Sequence, residues 1–238
     1  AAMTGARVRA GFAAGRELAA TFYTRRIHVR PGHTIDRNLQ LAAALGIDAR
    51  PEDLRLTVDP AARERTGALL AEAGIGPDGF LAIAPTARWP TKLYPPRRWR
   101  RVLAELSSDR PCAILGAPGD EDFCEELRPE APARPVVNLA GRTSLAELVA
   151  TIASADALVC CDSAAGLIAV ATATPQVMLI GPTRPNRTGP YGPLGRAVVA
   201  DVPCRGCLKR RCGHVACMQL IPPERVIREA REAAERVG

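Results

Sequence analysis

Short apolar runs alternate with amphipathic stretches along most of this chain. Phe80 to Ala84, Cys112 to Leu115, Pro135 to Leu139, Ala157 to Cys161, Gln176 to Ile180 and Ala197 to Val202 each read as a buried strand. Helical patterns lie between them. From Pro95 to Leu106, Trp99, Val102, Leu103 and Leu106 recur at i, i+3, i+4 and i+7, while Arg97, Arg98, Arg100 and Arg101 take the other face. A second helix is expected from about Asp120 to Leu127. Ser144-x-x-Glu147 is a capping box, opening a helix with Leu145, Leu148, Val149 and Ile152 as its buried stripe. Strands separated by helices imply an α/β, doubly wound domain over residues 77–221. Pro222-Pro223 then launches a last helix, residues 222–238, with Val226, Ile227, Ala230 and Val237 on one side.

The first third is less regular. Ala6 to Phe12 reads as one short strand with Gly11 and Gly15 at its exit, and Arg25 to His33 as polar and irregular. Ile35, Leu39, Ala42 and Leu45 suit one face of a helix from Thr34 to Leu45, capped near His33 or Thr34 and closed by Gly46. Residues 51–76 read as a linker strand, Leu54 to Val58, followed by a helix that Pro60 opens and Gly74 stops.

The 238 residues carry 32 basic and 25 acidic side chains, a net charge of +7. Such a balance favours phosphorylated ligands, anionic lipid surfaces or nucleic acid. Aromatic residues make up only 4% and no nucleic-acid motif appears, which argues against the last. No apolar run approaches the roughly 18 residues needed to span a bilayer, and no signal peptide opens the chain, so a cytoplasmic protein is expected. The opening Ala1-Ala2-Met3 does not look like an ordinary start of translation, and a truncated or tagged product is expected.

Chemistry concentrates between Ala155 and Pro193. An apolar run stops at Asp162-Ser163, a short helix of small residues runs to Ala173, and Pro175 leads into the next strand and the Gly181-Pro182-Thr183 loop. Such a βαβ unit belongs to a parallel sheet, whose ligands bind beyond the carboxyl ends of the strands. Asp162, Ser163 and Thr183 fall there, and the unpaired N–H groups at the helix start suit a phosphate. The same unit with an Asp cap and no ligand explains these residues equally well.

The order Asp162-Ser163, Ala169-x-Ala171, Pro175, Gly181-Pro182-Thr183-x-Pro185 and Gly189-Pro190-Tyr191-Gly192 resembles the bacterial heptosyltransferases of glycosyltransferase family 9. The segment Pro85-Thr86-Ala87-Arg88-Trp89-Pro90-Thr91-Lys92-x-Tyr94-Pro95 resembles the same family's donor-phosphate loop. The chain departs from the pattern at Ala164, where the family usually has Gly, at Leu167, where it has His, and at Ala173, where it has Gly. The resemblance implies a glycosyltransferase-B arrangement of two Rossmann-like domains. Residues 1–50 would be a remnant of the N-terminal, acceptor-side domain with its connecting helix, and residues 77–221 the nucleotide-sugar domain. It further implies an inverting transfer of heptose from ADP-heptose to the lipid A–Kdo core of lipopolysaccharide at the membrane surface. The catalytic base is then expected in an N-terminal loop that this chain does not carry, since Asp36 lies too late. A nucleotide-sugar-binding module without catalysis is the alternative.

Transfer from a diphosphate sugar needs positive and hydrogen-bonding groups for the charge growing on the leaving group. Thr86, Arg88 and Lys92 are the candidates after the first large-domain strand, with Ser163, the backbone of Ala164 and Thr183 after the later ones. Asp120 and Glu121 are candidates for the nucleotide ribose, or simply favour a helix start. Asp162 is expected to cap its helix and touch the sugar. No cofactor is expected for catalysis. Of eight cysteines, Cys112, Cys124, Cys160 and Cys161 fall in or beside core elements, where buried thiols are ordinary. Cys204-x2-Cys207-x4-Cys212-x4-Cys217 has spacing that suits a tetrahedral structural Zn2+, with His214 as a substitute ligand, or else a thiol clasp. Similar cysteines occur in many members of the family, especially those like heptosyltransferase II. With the zinc as its whole purpose, a small zinc-containing interaction domain is a further reading.

Overall fold

The computed structural model describes residues 5–14 and 18–237, so the expected role of Gly15 lies outside the described residues. The chain divides into two compact units, residues 1–54 and 55–238.

In the first unit, β1 (Ala10–Phe12) pairs in parallel with β2 (Arg25–Ile27), Ala10 opposite Arg25. The expectation of an irregular segment from Arg25 fails for these three residues. A three-residue strand with a single inward apolar side chain, Ile27, shows no period to read. A Cβ at Gly11 would overlap the Tyr23 ring, so a larger residue there would have to displace that side chain. Helix α1 (Thr34–Ala44) starts as expected: His33 is the cap, its Nδ1 accepting from Ile35 N at 3.2 Å, and Gly46 at φ 81° follows its end.

The second unit begins without the expected strand. Residues 54–58 alternate apolar and polar, yet their backbone is irregular, and Leu56 N donates to Ala171 O at 2.9 Å. Helix α2 (Pro60–Glu72) follows, capped by Asp59. Then come β3 (Leu81–Ala84), α3 (Pro96–Leu106), β4 (Cys112–Ile114), α4 (Glu121–Glu126), β5 (Val136–Asn138), α5 (Leu145–Ser154), β6 (Ala157–Cys161), α6 (Ala164–Ala171), β7 (Gln176–Leu179), α7 (Pro185–Thr188), β8 (Gly195–Val198), α8 (Ala216–Gln219) and α9 (Pro223–Ala234).

The six strands β3–β8 form one parallel sheet in the order β5-β4-β3-β6-β7-β8. The chain winds outward from β3, returns to its other side at β6, and winds outward again. This is the doubly wound arrangement expected, with its switch point between β3 and β6. Both faces are covered, so every β6 residue is buried. Leu81, Ile83, Ala157, Val159 and Cys161 face one layer, which includes Trp99, Leu103, Val226 and Ala230 from α3 and α9. Ala82, Ala84, Leu158 and Cys160 face the other, with Val149, Ile152, Ile168 and Ala169 from α5 and α6. Trp99, Val102, Leu103 and Leu106 are fully buried, as the α3 pattern required. The α5 capping box forms, but Leu145 at the helix start is 73% exposed rather than part of the buried stripe.

Helix α6 ends in a two-bond turn. Thr174 N donates to Ala169 O at 2.9 Å and Ala173 N to Val170 O at 3.3 Å, which places Ala173 at φ 57°. A Cβ in this left-handed region costs roughly 1–2 kcal/mol, and Gly avoids it. Ala173→Gly is therefore expected to stabilise the chain by about 1 kcal/mol, after the larger unfolded-state entropy of Gly is subtracted. Urea unfolding measures it, and a destabilised variant would contradict the strain.

Candidate functional site

Three loops leave the carboxyl ends of β3, β6 and β7, and they meet on one carboxylate. Asp162, immediately after β6, is 7% exposed. Its Oδ2 accepts from Lys92 Nζ at 2.9 Å, from Thr183 Oγ1 at 2.5 Å and from Thr188 Oγ1 at 3.3 Å. Lys92 Nζ also donates to the Asp162 carbonyl oxygen at 3.1 Å. The lysine comes from a one-turn 3-10 helix, Pro90–Lys92, in the loop after β3. Thr183 sits in the loop after β7, and Thr188 ends α7.

A buried carboxylate is costly unless charged and polar donors surround it. Here one ammonium and two hydroxyls do so. The salt bridge is largely withdrawn from water, with 15% of the Lys92 side chain and 9% of the Asp162 side chain exposed. Lys92 also lies 4.8 Å from the centre of the Trp89 ring. Asp162 therefore does not cap α6, against expectation. The cap position belongs to Ser163, whose side chain makes no capping bond. The carboxylate turns instead toward Lys92, where a full opposite charge outweighs a helix N–H.

The other expected residues divide. Thr86 is half-buried and Arg88 exposed in the same loop as Lys92. Ser163 and Ala164 stand at the start of α6, so the N–H groups there border the network. Leu167, on the same helix, is 55% exposed. Asp120 and Glu121 lie beyond β4, and their carboxylates turn back on their own loop. Asp120 Oδ2 accepts from Ala117 N at 2.9 Å and Glu121 Oε2 from Gly119 N at 2.6 Å. Sequence reasoning missed Thr188, and it missed the pairing of Lys92 with Asp162.

The four cysteines Cys204, Cys207, Cys212 and Cys217 line one cavity of about 50 Å³, together with His214. Among the described residues, no three His, Cys, Asp or Glu side chains are placed to hold one ion, so the zinc expectation finds no support. Two backbone N–H groups, of His214 and then Val215, lower the Cys212 thiol, whereas burial raises that of Cys217. Burial pushes Cys112, Cys124 and Cys161 up to about 12 and Cys160 well above its usual value. Among the described residues no helix is long and apolar enough to cross a membrane.

Two outcomes are expected. Breaking the buried pair singly, by Lys92→Met or Asp162→Asn, should cost about 3 kcal/mol, and the double variant at least about 1 kcal/mol less than the sum. Additive losses in a urea-unfolding cycle would contradict the pairing. In the native chain, Cys212 and the exposed Cys207 should react first with an aromatic disulfide reagent, and the four core thiols only on unfolding. Mass mapping of labelled peptides reads the order.

Residues 1–216 match the sequence profile of glycosyltransferase family 9 (heptosyltransferase). Lipopolysaccharide heptosyltransferase 1 of Pseudomonas aeruginosa is 32% identical over 198 residues, which is 83% of this chain and 54% of that protein. The chain thus spans about half the length of the curated relatives it matches. Among solved structures, the glycosyl transferase family 9 protein of Veillonella parvula superposes with a TM-score of 0.80 at 19% identity, over 97% of this chain and 68% of the other. ADP-heptose lps heptosyltransferase II of E. coli gives 0.76 at 21% identity, over 98% and 71%. At such identities the structures share the fold, that of the glycosyltransferase-B enzymes. Together with the profile match over most of its length, this means that the chain belongs to glycosyltransferase family 9, the heptosyltransferases.

Proposed function

We propose that this chain carries the donor-binding half of an inverting heptosyltransferase that moves heptose from ADP-heptose to the inner core of lipopolysaccharide. The observation that carries the reading is the Lys92–Asp162–Thr183–Thr188 network at the carboxyl ends of three strands beside the switch point. Open α/β sheets bind nucleotides at that place. The donor and acceptor classes come from the names of the relatives, among them the E. coli ADP-heptose enzyme.

In the transfer, a base takes the proton of the acceptor hydroxyl and the oxygen bonds to the anomeric carbon of heptose. The bond from that carbon to the diphosphate breaks, and ADP departs with the electron pair. This chain's part is to hold the departing charge. The Lys92 ammonium uses two N–H groups on Asp162. Its third can turn to a phosphate oxygen without breaking the pair. Asp162 then acts by aiming Lys92, and the start of α6 at Ser163–Ala164 supplies backbone N–H groups to the same phosphates. Thr86 and Arg88 border the mouth. Asp120 and Glu121 stand beyond the next strand, where a ribose would lie. No base is assigned within residues 1–54, read here as part of the acceptor-side domain. The net charge of +7 suits a donor of diphosphate type and an acceptor at the anionic, cytoplasmic face of the inner membrane.

A second reading, a donor-binding module without catalysis, is favoured by exposed Leu167 at the position where the family usually has His. Turnover of ADP-heptose with a heptose-deficient lipopolysaccharide separates it from the first. For both, ADP should bind the purified chain. Lys92→Gln should weaken that binding ten- to a hundredfold, the usual loss of about 1.5–3 kcal/mol for a charge-assisted contact. Calorimetric titration of both proteins, each shown to be folded, is the measurement. Equal affinities would remove Lys92 from the donor site.

A further inference from the structure

The stretch between β8 and α8, residues 199–215, forms no helix or strand of its own. It is nevertheless bonded to both loops that carry the donor site. Toward the loop after β7, Gly206 N donates to Gly181 O at 3.0 Å and Leu208 N to Pro182 O at 2.7 Å. Arg184 Nε returns a bond to Gly206 O at 3.2 Å. Toward the loop after β3, the buried Thr91 donates through Oγ1 to Lys209 O at 2.9 Å. The guanidinium carbon of Arg210 lies 4.9 Å from the centre of the Trp89 ring, the same ring that holds Lys92 Nζ at 4.8 Å. Leu208 and Val215 adopt φ 61° and 40°, conformations that persist only where the surroundings over-determine them. The stretch is a strap, fixed at several points rather than draped over the surface.

A lysine side chain has four rotatable carbons, and holding it in one place costs rotamer freedom. An indole face within about 6 Å offsets part of that cost by attracting the ammonium. The ring must itself be held, because Trp89 is only half-buried, between exposed Arg88 and Pro90. Arg210 supplies that hold from the strap, and Thr91 ties the same turn to the strap's backbone. We infer that Arg210 is a positioning residue for the donor site: through Trp89 it keeps the Lys92 ammonium aimed at the incoming diphosphate. The inference rests on the donor-site reading above, and it adds a specific function for the strap, in which Cys207 and Cys212 flank Lys209 and Arg210.

The test uses a feature of the sequence: Lys92 and Lys209 are its two lysines. In the 238-residue chain labelled with 13C-lysine, the side-chain Cε–H signal of Lys92 should be shifted upfield by the Trp89 ring current. Arg210→Gln should move that signal toward the position of exposed Lys209. Arg210→Lys, which restores a cation to the ring, should return it. Calorimetric titration of the same proteins with ADP should show about two- to fivefold weaker binding for Arg210→Gln, the worth of one exposed cation–ring contact, and near-normal binding for Arg210→Lys. Thr91→Val should weaken ADP similarly. Combined with Arg210→Gln it should add less than its single effect, because both act on one loop. An unmoved Lys92 signal in Arg210→Gln would overturn the inference, as would Arg210→Lys behaving like Arg210→Gln. Failure of the unaltered chain to bind ADP would sink the donor-site reading instead, and the Lys92 signal would still decide whether the strap positions that side chain.

Discussion

A carboxylate withdrawn from water at the end of a parallel sheet organises the strand-end loops of this chain. Asp162 is fixed in place by β6, the most completely buried strand beside the switch point. Left alone, its charge would be untenable there, so donors must come to it. Lys92 comes from the loop after β3, Thr183 from the loop after β7 and Thr188 from the end of α7. Each brings its segment with it. Prolines limit these segments, with Pro90 opening the turn that carries Lys92 and Pro185 opening α7. One buried charge thus joins three loops into a single hydrogen-bonded rim. That rim is where open α/β sheets accept nucleotides.

The fold was legible wherever burial imposes a period. β6 matches its expected bounds, from Ala157 to Cys161, because a strand covered on both faces is an uninterrupted apolar run. The α3 stripe and the α5 capping box were equally plain. Legibility failed where packing, rather than pattern, decides. β2 has charged residues at two of its three positions, so its pairing with β1 leaves no apolar period to read. The alternation of Leu54, Leu56 and Val58 imitates a strand, but its backbone hydrogen-bonds to the end of α6 instead of a sheet. At the site, Lys92, Asp162 and Thr183 were visible as strand-end residues. Their mutual contacts were not, because Lys92 and Asp162 lie 70 residues apart and nothing local links them. An Asp before a helix reads as a cap. It took the nearby ammonium to show why this one is not.

The cysteine spacing illustrates the same limit from the other side. Four thiols within 14 residues satisfy the arithmetic of a tetrahedral metal site. Arithmetic fixes how many ligands are near, and side-chain direction fixes whether they converge. In this chain the thiols line a small cavity, while the loop's backbone bonds to the loops after β3 and β7.

The departures on α6 carry separate physical consequences, although they share one short helix. Ala173 sits in the turn that ends it, where a methyl group strains the backbone and the cost falls on stability. Leu167 sits on its exposed face, where it strains nothing and removes a ring that can carry charge. The backbone N–H groups at Ser163 and Ala164 are indifferent to both changes, because a helix N-terminus attracts an anion whatever side chains follow it. In the donor-site reading, the charge that His would have contributed must then come from the other loops. Lys92 is the cation best placed, since Asp162 and Trp89 already hold it at the rim. A site that leans on one lysine gains from anything that limits where that lysine can point.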